Sequence, residues 1–304
     1  MLINSEETNK YLHKLRTGEI KQGLGLGVSD IDKYLVFKPK SFNVILGHAN
    51  VGKTHLVLYL MLCYTMKHKL KWLIYSSENE ASSIKRRLCE FLEQQPINKI
   101  DQNTLDRHLE FIDQYFQIIS NDKIQTYKSL LDFATTLKSN FDMDGFFIDP
   151  YNSLTKDMKQ LEGLGSHEYD YLACSEMRIF CEKHNVSIWL TTHANTTAAR
   201  FKHPIGHEFA GHSIPAMASD AEGGVKFKNR ATDFWTFHRY VQHPTEWMYT
   251  HIHVRKVKEV ETGGMPTPID DPVRLKSIVN NVGFTINEKP LLYKEINNPD
   301  NLPF

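Results

Sequence analysis

An α/β fold is predicted, with a mainly parallel central sheet flanked by helices and an antiparallel extension at its C-terminal side. Two observations carry this. Short β-branched or aromatic runs alternate with helix-length stretches between residues 42 and 192, and parallel strands need long, usually helical, crossovers. A Gly-rich loop also stands between the first such run and the first such stretch.

The elements follow in order. Residues 1–22 are polar, with Lys10, Lys14, Arg16 and Lys21 among helix formers. They read as an arm or linker helix in which Tyr11, Leu12 and Leu15 make a small apolar stripe over 5–17; a frayed terminus is the competing reading. GLGLG at 23–27 then opens the main body, expected to run from 23 to 289 with a tail over 290–304. Strands are expected at FNVIL (42–46), WLIYS (72–76), FQIIS (116–120), GFFID (145–149) and VSIWLTT (186–192). Helices are expected between them, near 53–68, 79–95, 125–140 and 166–184. From about 195 to 230 the chain is rich in Gly, His and Lys, a loop length that is usually functional or disordered. DFWTFHRY (233–240), WMYTHIHVRKV (247–257) and VGFTI (282–286) read as the antiparallel extension, with Gly263-Gly264 turning the chain after the second.

Composition excludes several classes. The 304 residues carry 36 Lys+Arg against 36 Asp+Glu, so wholesale electrostatic adhesion to DNA or anionic membrane is ruled out. Any nucleic-acid contact must be concentrated. Cys63, Cys89, Cys174 and Cys181 form no CxxC pair, which favours a reducing compartment. The start MLINSEETNKYLHK lacks an apolar signal region, and the longest apolar stretch, Leu56 to Met66, is about half a membrane span. A cytoplasmic protein without a membrane partner is expected.

GHANVGKT matches GxxxxGK[ST] in full and has the required strand before it and helix after it. Gly47, His48, Ala49, Asn50, Val51, Gly52, Lys53 and Thr54, with His55 behind them, are therefore expected to line a bound nucleoside triphosphate. Backbone N–H groups and a helix N-terminus face phosphate. Lys53 would reach the β- and γ-phosphates, and Thr54 would hold Mg²⁺. A chance Gly-rich loop is the bland alternative. Such a site needs an acidic residue on a second strand and a group to position water. Asp149 ends GFFID and is assigned to Mg²⁺, a helix cap being its alternative. Glu78 and Glu80 follow WLIYSS; Glu78, nearer the strand end, is taken as the base, whereas Glu80 suits the first turn of a helix. His193 ends VSIWLTTH, where it could contact the γ-phosphate; a structural or surface role is the alternative.

These residues together resemble the hexameric replicative helicases of the DnaB type, with their RecA-like motor, and most closely the Twinkle and phage primase-helicase branch. The resemblance covers about residues 23–287. SSENE (76–80) is similar to the family's strand-plus-acid segment, which implies Glu78 as catalytic glutamate. GFFIDP resembles its Mg²⁺ strand, and TTHAN places His193 at its sensor position. IPAMASDAEGGVKFKNRATDFWTFHR (214–239) resembles a later signature of the branch, with Asp220, Gly223, Gly224, Asn229, Arg230 and Arg239 on its points. Arg239 and Lys256 are thereby implied at the nucleotide. The family's K-x-R pair aligns with Lys256-Val257-Lys258, which implies Lys258 as a cation reaching a neighbouring subunit's γ-phosphate. Lysine keeps the charge and loses the planar fork. Arg255 would face away from both by strand alternation. An exposed basic strand is the competing reading.

The resemblance further implies a six-membered ring on single-stranded DNA, moving 5′ to 3′, and a phage-type origin. The loops after Asp149 and His193 would face DNA, through Lys156, Lys159, Arg200, Lys202, Lys226, Lys228 and Arg230, with Gly163 and Gly165 for mobility. A separate primase, a polymerase or a single-strand-binding protein are the partners expected besides copies of the chain; the tail NNPDNLPF resembles the tips of single-strand-binding proteins. His203, His207 and His212 lack a zinc pattern and are expected in a solvated loop, and His251 and His253 are expected to be structural. Two other functions remain open: a recombinase-like filament, and a regulatory or loader ATPase that uses nucleotide as a switch.

Overall fold

A computed structural model describes residues 5–19, 23–157 and 161–292. The strands are β1 (Phe42–Gly47), β2 (Trp72–Ser76), β3 (Phe116–Ile119), β4 (Gly145–Asp149), β5 (Ser187–His193), β6 (Asp233–His238), β7 (Tyr249–Val257), β8 (Val273–Ser277), β9 (Phe284–Ile286) and β10 (Lys289–Pro290). They form one sheet in the order β10-β9-β8-β7-β6-β1-β5-β4-β2-β3. The helices are α1 (Ser5–Arg16), α2 (Ser29–Asp32), α3 (Lys53–His68), α4 (Ala81–Glu93), α5 (Gln102–Tyr115), α6 (Tyr127–Leu137), α7 (Ser166–His184) and α8 (Lys226–Arg230).

The central strands are apolar on both faces, as parallel strands covered on both sides must be. Ile45, Ile74, Phe147, Trp189 and Trp235 share one core with α3, α4 and α5. Val44, Leu46, Leu73, Tyr75, Phe146, Ile148 and Leu190 share the other with α6 and α7. Trp72, Trp189 and Trp235 meet edge to face at centroid distances of 5.0 and 5.2 Å. Gly145 opens β4 because a Cβ there would lie 2.3 Å from the Trp72 ring. Helix α3 is buried nearly all round from Leu56 to Thr65, so it is a core helix rather than an amphipathic cover.

The parallel strands and four helices stand where expected, with these differences. The run 233–240 is not part of the antiparallel extension: β6 pairs parallel with β1, and antiparallel pairing begins at β7. Helix α5 goes beyond the expected elements; Asp101 caps it by accepting the N–H of Thr104, and Leu105, Leu109 and Ile112 repeat at helical spacing. Strand β8 is likewise an addition to the expected set. The packed body also continues past 289, since Leu291 and Leu292 are buried and Leu292 donates its N–H to the Tyr59 hydroxyl at 3.0 Å. The rest of the expected tail, 293–304, lies outside the described residues.

Helix α1 covers most of the expected arm and buries none of its residues, and Tyr11, Leu12 and Leu15 are exposed. The segment 195–231 is not structureless. Bridges Lys202 to Ser213 and His203 to Ala210 fold it into a short excursion. Its Phe209 ring stacks on Tyr240 at 4.0 Å, and His203, half-buried, contacts the Tyr240 hydroxyl at 3.0 Å and stacks on His207 at 4.0 Å, while His207 itself is exposed. His251 and His253 are buried on β7. Among the described residues no helix is long and apolar enough to cross a membrane. All four cysteines are buried and free, and burial pushes the Cys89 thiol up to about 11 and that of Cys181 up to about 12.

Candidate active site

The carboxyl ends of β1, β5, β4 and β2 lie side by side, which is where open α/β sheets bind ligands. The phosphate loop leaves β1 at Gly47 and enters α3 at Lys53. Asn50 and Gly52 take left-handed φ of 60° and 82°, and the second is the residue at which glycine makes the turn into the helix possible. Lys53 Nζ donates to the carbonyls of Gly47 at 3.1 Å and His48 at 2.9 Å, and lies 3.2 Å from His193 Nδ1. The other ring nitrogen of His193 lies 3.4 Å from Glu78 Oε1. One imidazole therefore spans the lysine and the candidate base.

Asp149 ends β4 and is buried. Its Oδ1 accepts the Thr191 hydroxyl at 2.6 Å; its Oδ2 accepts Thr54 at 2.8 Å and Ser76 at 3.1 Å. Burial raises the Asp149 carboxyl above its ordinary range, opposed by the three hydroxyl donors. Thr54 and Asp149 thus present a hydroxyl and a carboxylate together. These are hard oxygen donors of the kind Mg²⁺ accepts, with further positions filled by phosphate and water. Among the described residues no group of three or more His, Cys, Asp or Glu could hold a metal alone. The donor set fits a metal that arrives with a polyphosphate.

Burial pulls the Lys53 ammonium down to about 8, against the attraction of Asp149 and Glu78. In the free protein its charge is half lost near that pH, and a bound polyanion restores it. Affinity for a non-hydrolysable ATP analogue should fall as pH rises through about 8, approaching tenfold per unit. Titrations between about pH 7 and pH 9.5 test this; pH-independent binding would place the phosphates away from Lys53.

Several sequence assignments move. The His55 ring packs on Phe91 and Phe284, burial pulls it down to about 3, and Arg87 contacts its Nδ1, so only its backbone can face phosphate. His48 Nε2 contacts the Ile214 carbonyl at 3.2 Å, and Val51 is buried. Glu80 precedes α4 with its carboxylate exposed and makes no cap bond to the helix. Arg239 follows β6 close to His55, with its Nε donating to the Trp247 carbonyl.

The Lys256 ammonium is taken up within the chain. Its Nζ donates to the carbonyls of Lys228 at 2.7 Å and Ala231 at 2.6 Å, where it caps the end of α8. Lys258 lies just beyond β7 and is exposed. The β6–β7 register shifts between Phe234 and Trp235, opposite Lys256 and Val254, which leaves Arg255 as a bulge residue. Strict alternation therefore no longer sets Arg255 against Lys256 and Lys258.

The expected DNA cations divide in the same way. Lys226 is 3% exposed and pairs with Asp170 at 2.9 Å, so it is a core ion and not a DNA contact. Lys156 pairs with the same carboxylate at 2.8 Å. Arg230 lies over the Tyr171 ring at 3.9 Å, half-buried like Lys228, while Arg200 and Lys202 are exposed. Lys159 lies outside the described residues. Burial raises the Asp170 carboxyl, but hydrogen bonds from Lys156, Lys226 and Tyr151 outweigh it, and the net position is lowered. Its stabilisation is complete above the ordinary carboxylate range and is lost as pH falls through the lowered value. Asp170→Ala strands a buried ammonium and should cost about 3–5 kcal/mol in urea denaturation; a loss below about 1 kcal/mol would show that Lys226 finds water.

Ser76, Thr191 and Asn152 are absent from the sequence-derived set. Each is a small polar residue at or just past the carboxyl end of a strand, a signal visible only once the strands are known to be neighbours.

No protein-family model and no curated protein sequence matches the chain. The likeness is structural. A solved ATPase domain aligns with a TM-score of 0.71 at 12% identity, covering 92% of this chain and 97% of that one. A DnaB-like replicative helicase, solved for its interactions with primase, aligns at 0.70 and 13%, covering 93% and 67%. A KaiC-like protein from Pyrococcus horikoshii OT3 aligns at 0.54 and 11%, covering 87% and 96%. The fold is the RecA-like α/β fold of such ATPase domains.

Proposed function

We propose that the chain hydrolyses ATP and uses it to move along single-stranded DNA as a ring, separating duplex ahead of it. The observation that carries this is the meeting of Lys53, Thr54, Asp149, Glu78 and His193 at one sheet edge. In this reading Lys53 and the loop N–H groups bind the phosphates, Glu78 takes a proton from the attacking water, and His193 responds to the terminal phosphate. Thr54 and Asp149 would hold Mg²⁺, which would supply neutralising charge for the phosphates. Lys258 of an adjacent copy adds positive charge in trans. Exposed Arg200 and Lys202, together with half-buried Lys228 and Arg230, give a sequence-independent grip on the DNA backbone. Six copies would multiply that modest patch, which suits a chain of zero net charge.

The segment 214–239 supports placement near the Twinkle and phage primase-helicase branch, with 5′ to 3′ movement and primase supplied by another chain. A reducing cytoplasm suits the four free thiols. The second reading is a nucleotide switch that holds a partner, favoured by the likeness to the KaiC-like protein.

ATPase rates with and without single-stranded DNA, followed by strand displacement on a forked substrate, decide between them. Stimulation with displacement is the expected result. Slow turnover indifferent to DNA would establish the switch. Electron microscopy with analogue and DNA should show closed rings, and continuous filaments would reject unwinding in favour of strand pairing.

A further inference from the structure

Asn152 has no part in the chemistry proposed above, yet it sits in the turn Tyr151–Ser153 three residues past Asp149. Its Oδ1 accepts the N–H of His193 at 2.9 Å and the hydroxyl of Thr192 at 2.9 Å. Its Nδ2 donates to Glu222 Oε2 at 2.9 Å. Glu222 gives its own N–H to the His193 carbonyl at 2.8 Å. The three residues close a ring of hydrogen bonds around the backbone of the histidine whose imidazole spans Lys53 and Glu78. The next residue, Ala194, donates to the Gly47 carbonyl at 3.1 Å, which fastens the same stretch to the phosphate loop.

Two chain segments are joined by this ring: the one that follows β4 and the one that follows β5. A second tie joins them deeper in the molecule, where Asp170 accepts Tyr151 and Lys156 from the first and Lys226 from the second. The deeper tie is buried and ionic, so releasing it would strand a charge. The outer one is different. Glu222 is exposed, and breaking its bond to Asn152 leaves both groups access to water, so this tie is the weaker of the two.

We propose that Asn152 and Glu222 form a latch that positions His193 and carries a change at the nucleotide into the segments after β4 and β5. Asn152 acts as a positioning residue. Its carboxamide is bonded both to the His193 peptide and to the Glu222 side chain of the second segment, so a shift of the imidazole is passed to both. The proposal rests on the nucleotide reading of the site and is independent of the DNA reading.

Hydrogen exchange on the full chain, with and without a non-hydrolysable ATP analogue and Mg²⁺, tests it over residues 150–157 and 219–231. In the wild type, the analogue should slow exchange in both segments. Asn152→Asp keeps the shape and the acceptor toward His193 but sets a carboxylate against Glu222; the response over 219–231 should fall at least about threefold. Glu222→Gln keeps a bond and should keep the response. The double variant Asn152→Asp/Glu222→Gln restores the bond with donor and acceptor exchanged, and should recover it. A latch without function predicts an unchanged response in Asn152→Asp, or a loss the double variant does not recover, and either result overturns the proposal. So does a wild type that binds the analogue without any response in 219–231. If Asn152→Asp does not melt cooperatively, Glu222→Ala removes the same bond from the exposed side and decides the matter by the same readout. Equilibrium dialysis of the analogue separates the two levels: absent binding to wild type sinks the nucleotide reading and the latch together, whereas binding without the exchange pattern sinks the latch alone.

Discussion

Glu78→Gln should bind ATP with unchanged affinity and turn it over about 10²–10⁴-fold more slowly. Its carboxylate stands 3.4 Å from His193 Nε2, at the mouth of the site, and reaches neither the phosphate loop nor Asp149 among the described hydrogen bonds. The substitution keeps the side chain's volume and removes its ability to take a proton from water. In the proposed reading binding is held elsewhere, by Lys53, Thr54 and the turn into α3, so the loss should fall on kcat. Turnover within about threefold of wild type would remove Glu78 as the base. A large loss in Glu80→Gln instead would move the role to Glu80, which is exposed just before α4.

The second large effect concerns Lys258. If the cleft is completed by the neighbouring copy, Lys258→Ala should lower turnover about 10³–10⁵-fold while leaving ATP binding nearly intact. The decisive form is a mixture. A protomer carrying Lys258→Ala still has Glu78, and one carrying Glu78→Gln still has Lys258. Co-assembled in equal amounts, about a quarter of the interfaces pair an intact glutamate with an intact lysine, so about a quarter of wild-type turnover should return. Two separately dead preparations that stay dead when co-assembled would show that the two groups do not meet across an interface. Restored activity would also decide for Lys258 against its bland alternative, an exposed basic strand end.

Much of the site was legible in the chain because its cues are local. GHANVGKT announces a turn into a helix, and the apolar runs ending in Asp149 and His193 announce strands whose last residues reach the carboxyl edge. Their closeness to Lys53 and Glu78 follows once those strands are parallel. Other readings depended on a charge being free, and failed where the fold supplied a partner. Lys226 looks like any basic loop residue until Asp170 on α7 is seen against it. Lys256 looks like half of a phosphate-binding pair until the end of α8 is found beneath its ammonium.

By itself the sequence determined the α/β class, the parallel strands, the phosphate loop and the residues at the strand tips, because hydrophobic period, turn chemistry and loop spacing act over about fifteen neighbouring residues. Tertiary structure alone decided the strand order, the hydroxyls of Ser76 and Thr191 on Asp149, the hydrogen bonds of Asn152, and which lysines are spent inside the molecule. Those depend on groups far apart in the chain, whose pairing is set by how the layers pack and by the high cost of leaving a buried charge without a partner.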